Sequence, residues 1–229
     1  MRLDKLLSNL KYGSRKEIKE LIKKRLVTVN GTLCKQSDVE IDPNHDTIMI
    51  NNIEVYYRES LILMVHKPKG YLSANHDNLH KTVFSLVPDK YLRLDLKMAG
   101  RLDIDASGIM LLTNDGSIAH QLTHPRQHVD KTYEVTLNKV IDEKDIKPLY
   151  HGVELKDEDG STYIGVAKYL TFEGKVAQIT IDQGRFHQVK KMFKAVGYEV
   201  LELKRITYGK LNLDIEEGDF REVSLSEII

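Results

Sequence analysis

Ile109-Met110-Leu111-Leu112 is a run of four apolar residues fenced on both sides by turn formers. Ala106-Ser107-Gly108 stands before it and Asn114-Asp115-Gly116 after it. A short apolar run between such stops reads as a buried strand. The chain must therefore build a sheet around this segment. Gly100-Arg101-Leu102-Asp103-Ile104-Asp105 leads into the run, so Asp103 falls at the edge of a core beside a glycine turn, two residues after an arginine. A carboxylate placed there is a candidate for chemistry. On spacing alone, a solvated loop aspartate is an equal alternative.

Charge is distributed unevenly. The formal net charge of the 229 residues is zero. Residues 1–30, however, carry nine Lys or Arg against three acids, a net of +6 that the other 199 residues balance. Such asymmetry suggests an end built for a polyanion. No apolar stretch approaches the 18 residues of a membrane span, and the charged start has no signal-peptide h-region. Cys34 is the only cysteine, which excludes a disulfide framework and fits a reducing cytoplasm.

Periodicity gives the elements. Leu3, Leu6, Leu7 and Leu10 share one helix face, and Gly13 stops that helix. Ser14 and Glu17 form a capping box for a second helix. Ile18, Leu21 and Ile22 line its apolar side, and Arg15, Lys16, Lys19 and Lys23 lie on or near the other. Val27-Thr28-Val29 is a strand, Asn30-Gly31 a hairpin turn, and Ile48-Met49-Ile50 a further strand. Asn51 to Ser60 is polar and reads as a linker, dividing the chain into residues 1–58 and 59–229. In the second part, Leu61–Val65, Tyr133–Leu137 and Val176–Ile181 read as strands. Val189, Met192, Phe193 and Val196 fall at helical spacing before Gly197. Strands without regular crossover helices favour an α+β fold with a mixed, mainly antiparallel sheet.

Several blocks carry a resemblance. Ala99-Gly100-Arg101-Leu102-Asp103-Ile104-Asp105, Lys131-Thr132-Tyr133 and Gln183-Gly184-Arg185-Phe186-His187-Gln188-Val189-Lys190-Lys191-Met192-Phe193 resemble blocks of the bacterial ribosomal RNA pseudouridine synthases. Lys67-Pro68-Lys69-Gly70 resembles another, with His66 where the family usually has Asn. Arg2–Leu7, Ser14-Arg15 and Val27–Gly31 resemble the S4 domain, a small RNA-binding module. The resemblance implies an S4-like α/β module followed by a larger synthase domain with a central cleft. It also implies a monomeric cytoplasmic isomerase, with no cofactor and no membrane partner, that turns a uridine of ribosomal RNA into pseudouridine. The form of the Asp103 block is nearest to members acting on small-subunit 16S RNA at nucleotide 516. A large-subunit 23S target and a non-catalytic assembly factor are the alternatives.

The resemblance also implies roles. Asp103 is the nucleophile, acting on a flipped-out base. Arg185 is expected to pair with Asp103 and hold it ionised. Tyr133 is expected to stack on the uracil and serve in proton removal, and Val189 to pack against the base. Arg101, Lys131 and Lys190 are assigned to substrate RNA, and Arg15, Lys16, Lys19 and Lys23 to the phosphate backbone. Ala106 stands where the family most often has Thr, which costs one hydroxyl near the catalytic turn. The tail block Leu203–Ile206 with Gly209–Leu211 reads as structural. His120, His124 and His128 recur every four residues, but Pro125 interrupts their helix, so no metal site is assigned. Asp103 and Asp105, two apart, would face opposite sides of a strand and are not expected to share a ligand.

Overall fold

The computed structural model describes residues 1–229, the side chain of Pro125 excepted. Its N-terminal part consists of α1 (Leu3–Asn9), α2 (Arg15–Lys23) and a four-stranded antiparallel sheet. The strands are β1 (Val27–Val29), β2 (Thr32–Leu33), β3 (Ile48–Ile50) and β4 (Ile53–Glu54), in the order β2-β1-β3-β4. Leu3, Leu6, Leu7 and Leu10 are buried, as the spacing predicts. The capping box forms: Ser14 N donates to Glu17 Oε2 at 2.7 Å, and Glu17 N donates to Ser14 Oγ. Asn30 and Gly31 both take positive φ, the requirement of a two-residue hairpin turn.

Part of the expected linker belongs to this sheet. Asn51 and Asn52 have φ of 52° and 63°, and they turn the chain so that β4 pairs with β3. Asparagine tolerates the left-handed region. The polar turn hid a hairpin whose second strand is followed by buried Val55.

The larger part is organised on one nine-stranded sheet. Its strands are β5 (Ile62–Lys67), β6 (Lys97–Met98), β7 (Ser107–Thr113), β8 (Lys131–Leu137), β11 (Tyr169–Glu173), β12 (Val176–Ile181), β13 (Val200–Tyr208), β14 (Leu211–Asn212) and β15 (Phe220–Val223). The main path runs β11-β12-β8-β13-β7-β5-β15, with β14 on β13 and β6 on β7. Only the β13–β7 pair is parallel. Every residue of β7 is buried, so the opening run sits at the heart of the sheet. Ile109 and Leu111 join one core cluster, and Met110 and Leu112 the other. Short helices α3 (Asp89–Leu92), α4 (Gly116–Thr123), α5 (Glu143–Ile146) and α6 (Pro148–His151) lie in the connections. A separate hairpin, β9 (Val153–Lys156) with β10 (Thr162–Gly165), lies against α7 (Gln188–Ala195).

The two parts are tied together. Arg93 Nη1 donates to Lys11 O at 2.9 Å, and its guanidinium lies 4.3 Å from the Tyr12 ring centroid. Lys11 also pairs with Asp95 at 3.2 Å. These contacts fix where the basic face of α2 sits relative to the sheet.

Candidate active site

A cavity of about 510 Å³ opens over the middle of the large sheet. That volume suits a small planar ligand. Its wall is contributed by the loop before β7, by β8 and β13, and by the start of α7. Asp103, Arg101, Tyr133, Lys131, Arg185 and Val189, all singled out from the sequence, line it together.

The loop carrying Asp103 is clamped from below. Ser73 Oγ donates to Leu102 O at 2.6 Å and accepts from Leu102 N at 3.0 Å. Gly70 N donates to Ile104 O at 2.7 Å, and Ala106 N closes a turn onto Asp103 O at 3.1 Å. The Lys67–Gly70 block therefore buttresses this loop. Lys67 is fully buried, donating to Pro68 O and Tyr71 O, each at 2.9 Å. Burial pushes its ammonium down to about 8, against the pull of Asp103 and Asp105.

The expected ion pair between Arg185 and Asp103 does not form. Arg185 Nη1 pairs with Asp157 Oδ2 at 2.7 Å, on the tip between β9 and β10, and the guanidinium lies 4.5 Å from the Tyr163 ring centroid. The cation on Asp103 is Lys190, whose Nζ is 3.0 Å from Oδ2. The reason is the turn into α7. His187 takes the left-handed conformation just before the helix, so Arg185 stays on the rim with Asp157 and the first helical turn is aimed at Asp103. His187 Nε2 lies 3.4 Å from the other carboxylate oxygen, Oδ1.

Asp103 and Asp105 also share a partner, against expectation. Lys190 Nζ reaches Asp105 Oδ1 at 2.6 Å. β7 begins only at Ser107, so residues 103–105 form a turn and strand alternation does not separate them. Burial works against the Lys190 charge, yet hydrogen bonds to Asp105 and Asp103 outweigh it and hold the ammonium above the ordinary lysine value. Burial likewise raises the Asp105 carboxyl, but Lys190 keeps it below the usual range.

The rest of the wall follows from strand register. Tyr133 on β8, Arg205 on β13 and Gly108 on β7 lie in one row across the sheet. Tyr133 is 6% exposed and presents its hydroxyl 3.5 Å from Arg205 Nη1. Val189 is buried on α7. Arg205 is a wall residue that the sequence reading missed, as are His187 and Tyr208. The tail block was read as structural, and the only available signal was an arginine inside a strand pattern that alternates otherwise. In the N-terminal part, Arg15, Lys16, Lys19 and Lys23 are all exposed on α2, with Lys23 paired to Glu20 at 2.8 Å.

A carboxylate held by an ammonium, sharing a base-sized cavity with a tyrosine, suits chemistry on a nucleobase. Comparison with known proteins gives the same direction. Residues 61–195 match the RNA pseudouridylate synthase family, and residues 1–46 match the S4 domain. A Bacillus subtilis protein described as an uncharacterized RNA pseudouridine synthase is 42% identical, over 100% of this chain and 97% of its own. The ribosomal large subunit pseudouridine synthase B of the same organism is 36% identical, over 99% and 93%. The ribosomal small subunit pseudouridine synthase A of Escherichia coli K12 is 35% identical, over 100% and 98%. A crystal structure described as a pseudouridylate synthase superposes with a TM-score of 0.67 at 33% identity, covering 100% of this chain and 98% of that one. The chain is therefore a member of the RNA pseudouridylate synthase family, an isomerase that carries an N-terminal S4 domain.

Proposed function

We propose that this enzyme isomerises one uridine of ribosomal RNA, with nucleotide 516 of 16S RNA as the target, and that Asp103 is its nucleophile. The observation that carries the reading is Asp103 itself, at a cavity mouth with Lys190 at 3.0 Å and Tyr133 on the adjoining wall. The ammonium lies against the carboxylate oxygen and orients it toward the cavity, as nucleophilic attack requires. Tyr133 stacks on the extruded uracil and accepts a proton, and Val189 covers the ring's other side. Arg101, exposed on the rim, grips the neighbouring backbone. Arg185 sits on the same rim and serves the RNA there. Arg15, Lys16, Lys19 and Lys23 dock the phosphates and position the substrate without reading its bases.

The 16S assignment is supported by the Ala99–Asp105 form and by full-length similarity to the Escherichia coli small-subunit enzyme. The large-subunit relative, equally similar, makes a 23S uridine the second reading. Pseudouridine mapping across both RNAs in a deletion strain and its parent decides between them. Loss of a single 16S signal supports the proposal, and loss of a 23S signal selects the second reading. Restoring the strain with Asp103→Asn must leave the signal absent; its return removes Asp103 from the role.

A further inference from the structure

Arg205 is 2% exposed, yet every acceptor its guanidinium reaches is neutral. Nε and Nη2 donate to Ile109 O at 2.8 and 2.5 Å, and Nη1 donates to Arg101 O at 3.4 Å and to the Tyr133 hydroxyl at 3.5 Å. Withdrawing a guanidinium from water without an anion is costly. Lys131 stands beside it. Its Nζ donates to Val129 O at 2.7 Å and lies 5.1 Å from the Tyr208 ring centroid. Burial, aided by Arg205, pushes its ammonium down to about 8.

The carboxylates that face Lys131 are committed elsewhere. Asp182 is held by His128 at 2.8 Å and Asp130 by Lys168 at 2.6 Å. Both Lys131 and Arg205 line the cavity that holds Asp103 and Tyr133. The cavity wall thus carries one buried and one half-buried cation for which the described residues supply no directly paired anion. Tyr133 and Tyr208 flank the guanidinium, with ring centroids 6.0 and 5.2 Å from its carbon. Such flat surroundings favour a planar, delocalised anion over a tetrahedral phosphate.

We propose that Arg205 and Lys131 bind the negative charge that the uracil ring carries during the reaction, acting on its ring oxygens as an anion hole. The inference rests on the reading of Asp103 as nucleophile. If an Asp103 oxygen bonds to C1′ of the ribose, the C1′–N1 bond breaks and its electron pair leaves with the ring, spread over N1, O2 and O4. If the oxygen adds to C6 instead, the C5–C6 electron pair moves through the carbonyl onto O4. In both routes one negative charge passes from Asp103, where Lys190 holds it, to a ring oxygen. Arg205 and Lys131 receive it there until C5 bonds to C1′. In the first route the C1′–O bond to Asp103 breaks as C5 attacks. In the second the C1′–N1 bond breaks as C5 attacks, and loss of the C5 proton then expels Asp103 from C6. In both, the C5 proton goes to the base, N1 takes up a proton, and the Asp103 carboxylate is regenerated. Preorganised donors aimed at developing charge are among the strongest catalytic devices.

The test uses full-length protein and a ribosomal RNA transcript that the wild type modifies, measuring single-turnover pseudouridine formation and RNA affinity separately. Lys131→Gln is expected to lose about 100-fold in rate, the scale of one removed anion-hole donor, with RNA affinity unchanged. Lys131→Arg is expected to keep most of the rate. The wild-type rate falls as pH rises through about 8, where Lys131 loses its charge. Lys131→Arg abolishes that fall, because the groups facing the position (Arg205, Tyr208, the Asp182–His128 pair and the Asp130–Lys168 pair) are unchanged. Arg205→Gln is expected to be as slow as Lys131→Gln. Because Arg205 also holds the Ile109 carbonyl, that variant can fail to fold, and the Lys131 series and the wild-type pH profile stand without it. The proposal is overturned by a wild-type rate in Lys131→Gln, by a rate loss matched by lost affinity, or by an alkaline fall that persists in Lys131→Arg. A wild type that forms no pseudouridine in ribosomal RNA overturns the proposed function, and this inference with it.

Discussion

Lys190 Nζ lies 3.0 Å from Asp103 Oδ2 and 2.6 Å from Asp105 Oδ1, so one ammonium holds two carboxylates of the same turn. The pair joins the loop before the central strand to the first turn of a helix 85 residues further on. Asp105 is well exposed and orients Lys190, whereas Asp103 faces the cavity and is available to substrate.

Lys190→Met should therefore slow the reaction more than Arg185→Gln does. The Lys190 and Asp103 side chains are 22% and 20% exposed, between a surface pair and a buried one. Breaking the pair should cost about 1–3 kcal/mol of transition-state stabilisation, or roughly 10- to 100-fold in rate. Arg185→Gln breaks the half-exposed pair with Asp157 and the contact with the Tyr163 ring, neither of which touches Asp103, and should act through RNA affinity. Single-turnover rates and binding constants for both variants check the ordering. An Arg185 variant slower at saturating RNA than the Lys190 variant would reverse the assignment.

Charge reversal of Arg15, Lys16 and Lys19 to Glu should weaken RNA binding without changing the single-turnover rate at saturation. Each phosphate of single-stranded RNA that is no longer neutralised reduces the log–log salt slope by about 0.7, so three such phosphates change it by roughly 2. A salt titration of binding reads the slope directly, and an unaltered value takes the docking role away from α2.

Much of this architecture was legible because local rules set it. The leucine face of α1, the Ser14–Glu17 box, the Asn30-Gly31 turn and Gly197 after α7 each depend on neighbours within a few residues. Asp103, Tyr133 and Val189 were singled out through their blocks, and the fold brings them to one cavity. What failed depends on residues distant in the chain. Arg185 and Lys190 lie five residues apart in one basic stretch, and only the left-handed turn at His187 decides which of them faces Asp103. Arg205 shows no polar periodicity; its role comes from lying opposite both Tyr133 and Gly108 in the sheet. β4 was lost because its turn is made of two asparagines in a polar tract.

Stability should rise with pH between about 8 and 10. Lys67 and Lys131 are both pushed by burial to about 8 in the folded protein. An unfolded lysine keeps its proton to about 10.4, so across this window the unfolded chain binds more protons and stability increases with pH. Each lysine should contribute on the order of 1 kcal/mol. From about 10 upward Tyr208, raised by burial to about 12, acts in the opposite direction, because the unfolded phenol ionises first. Urea midpoints at pH 7.5 and 9.5 measure the rise, which Lys67→Met should reduce. A flat profile in the wild type would mean that neither ammonium is desolvated as the structure indicates.

Gly108→Ala should be among the more damaging single changes in the sheet. Gly108 has a φ of +110°, and a Cβ there would collide with Arg205 O and sit 2.5 Å from Arg205 N. The atoms it meets are backbone, so no side chain can swing aside. The parallel β7–β13 pair depends on this close approach, and the same approach sets the depth of the Arg205 guanidinium against Ile109 O and Tyr133. Overpacking together with backbone strain should cost about 2–4 kcal/mol. Chemical denaturation measures the loss, and the rate of the surviving folded fraction should fall as well, because Arg205 is displaced from the cavity wall. A variant as stable and as active as the wild type would show that β7 and β13 do not pair this closely and that the row Tyr133, Arg205, Gly108 is not the spine of the site.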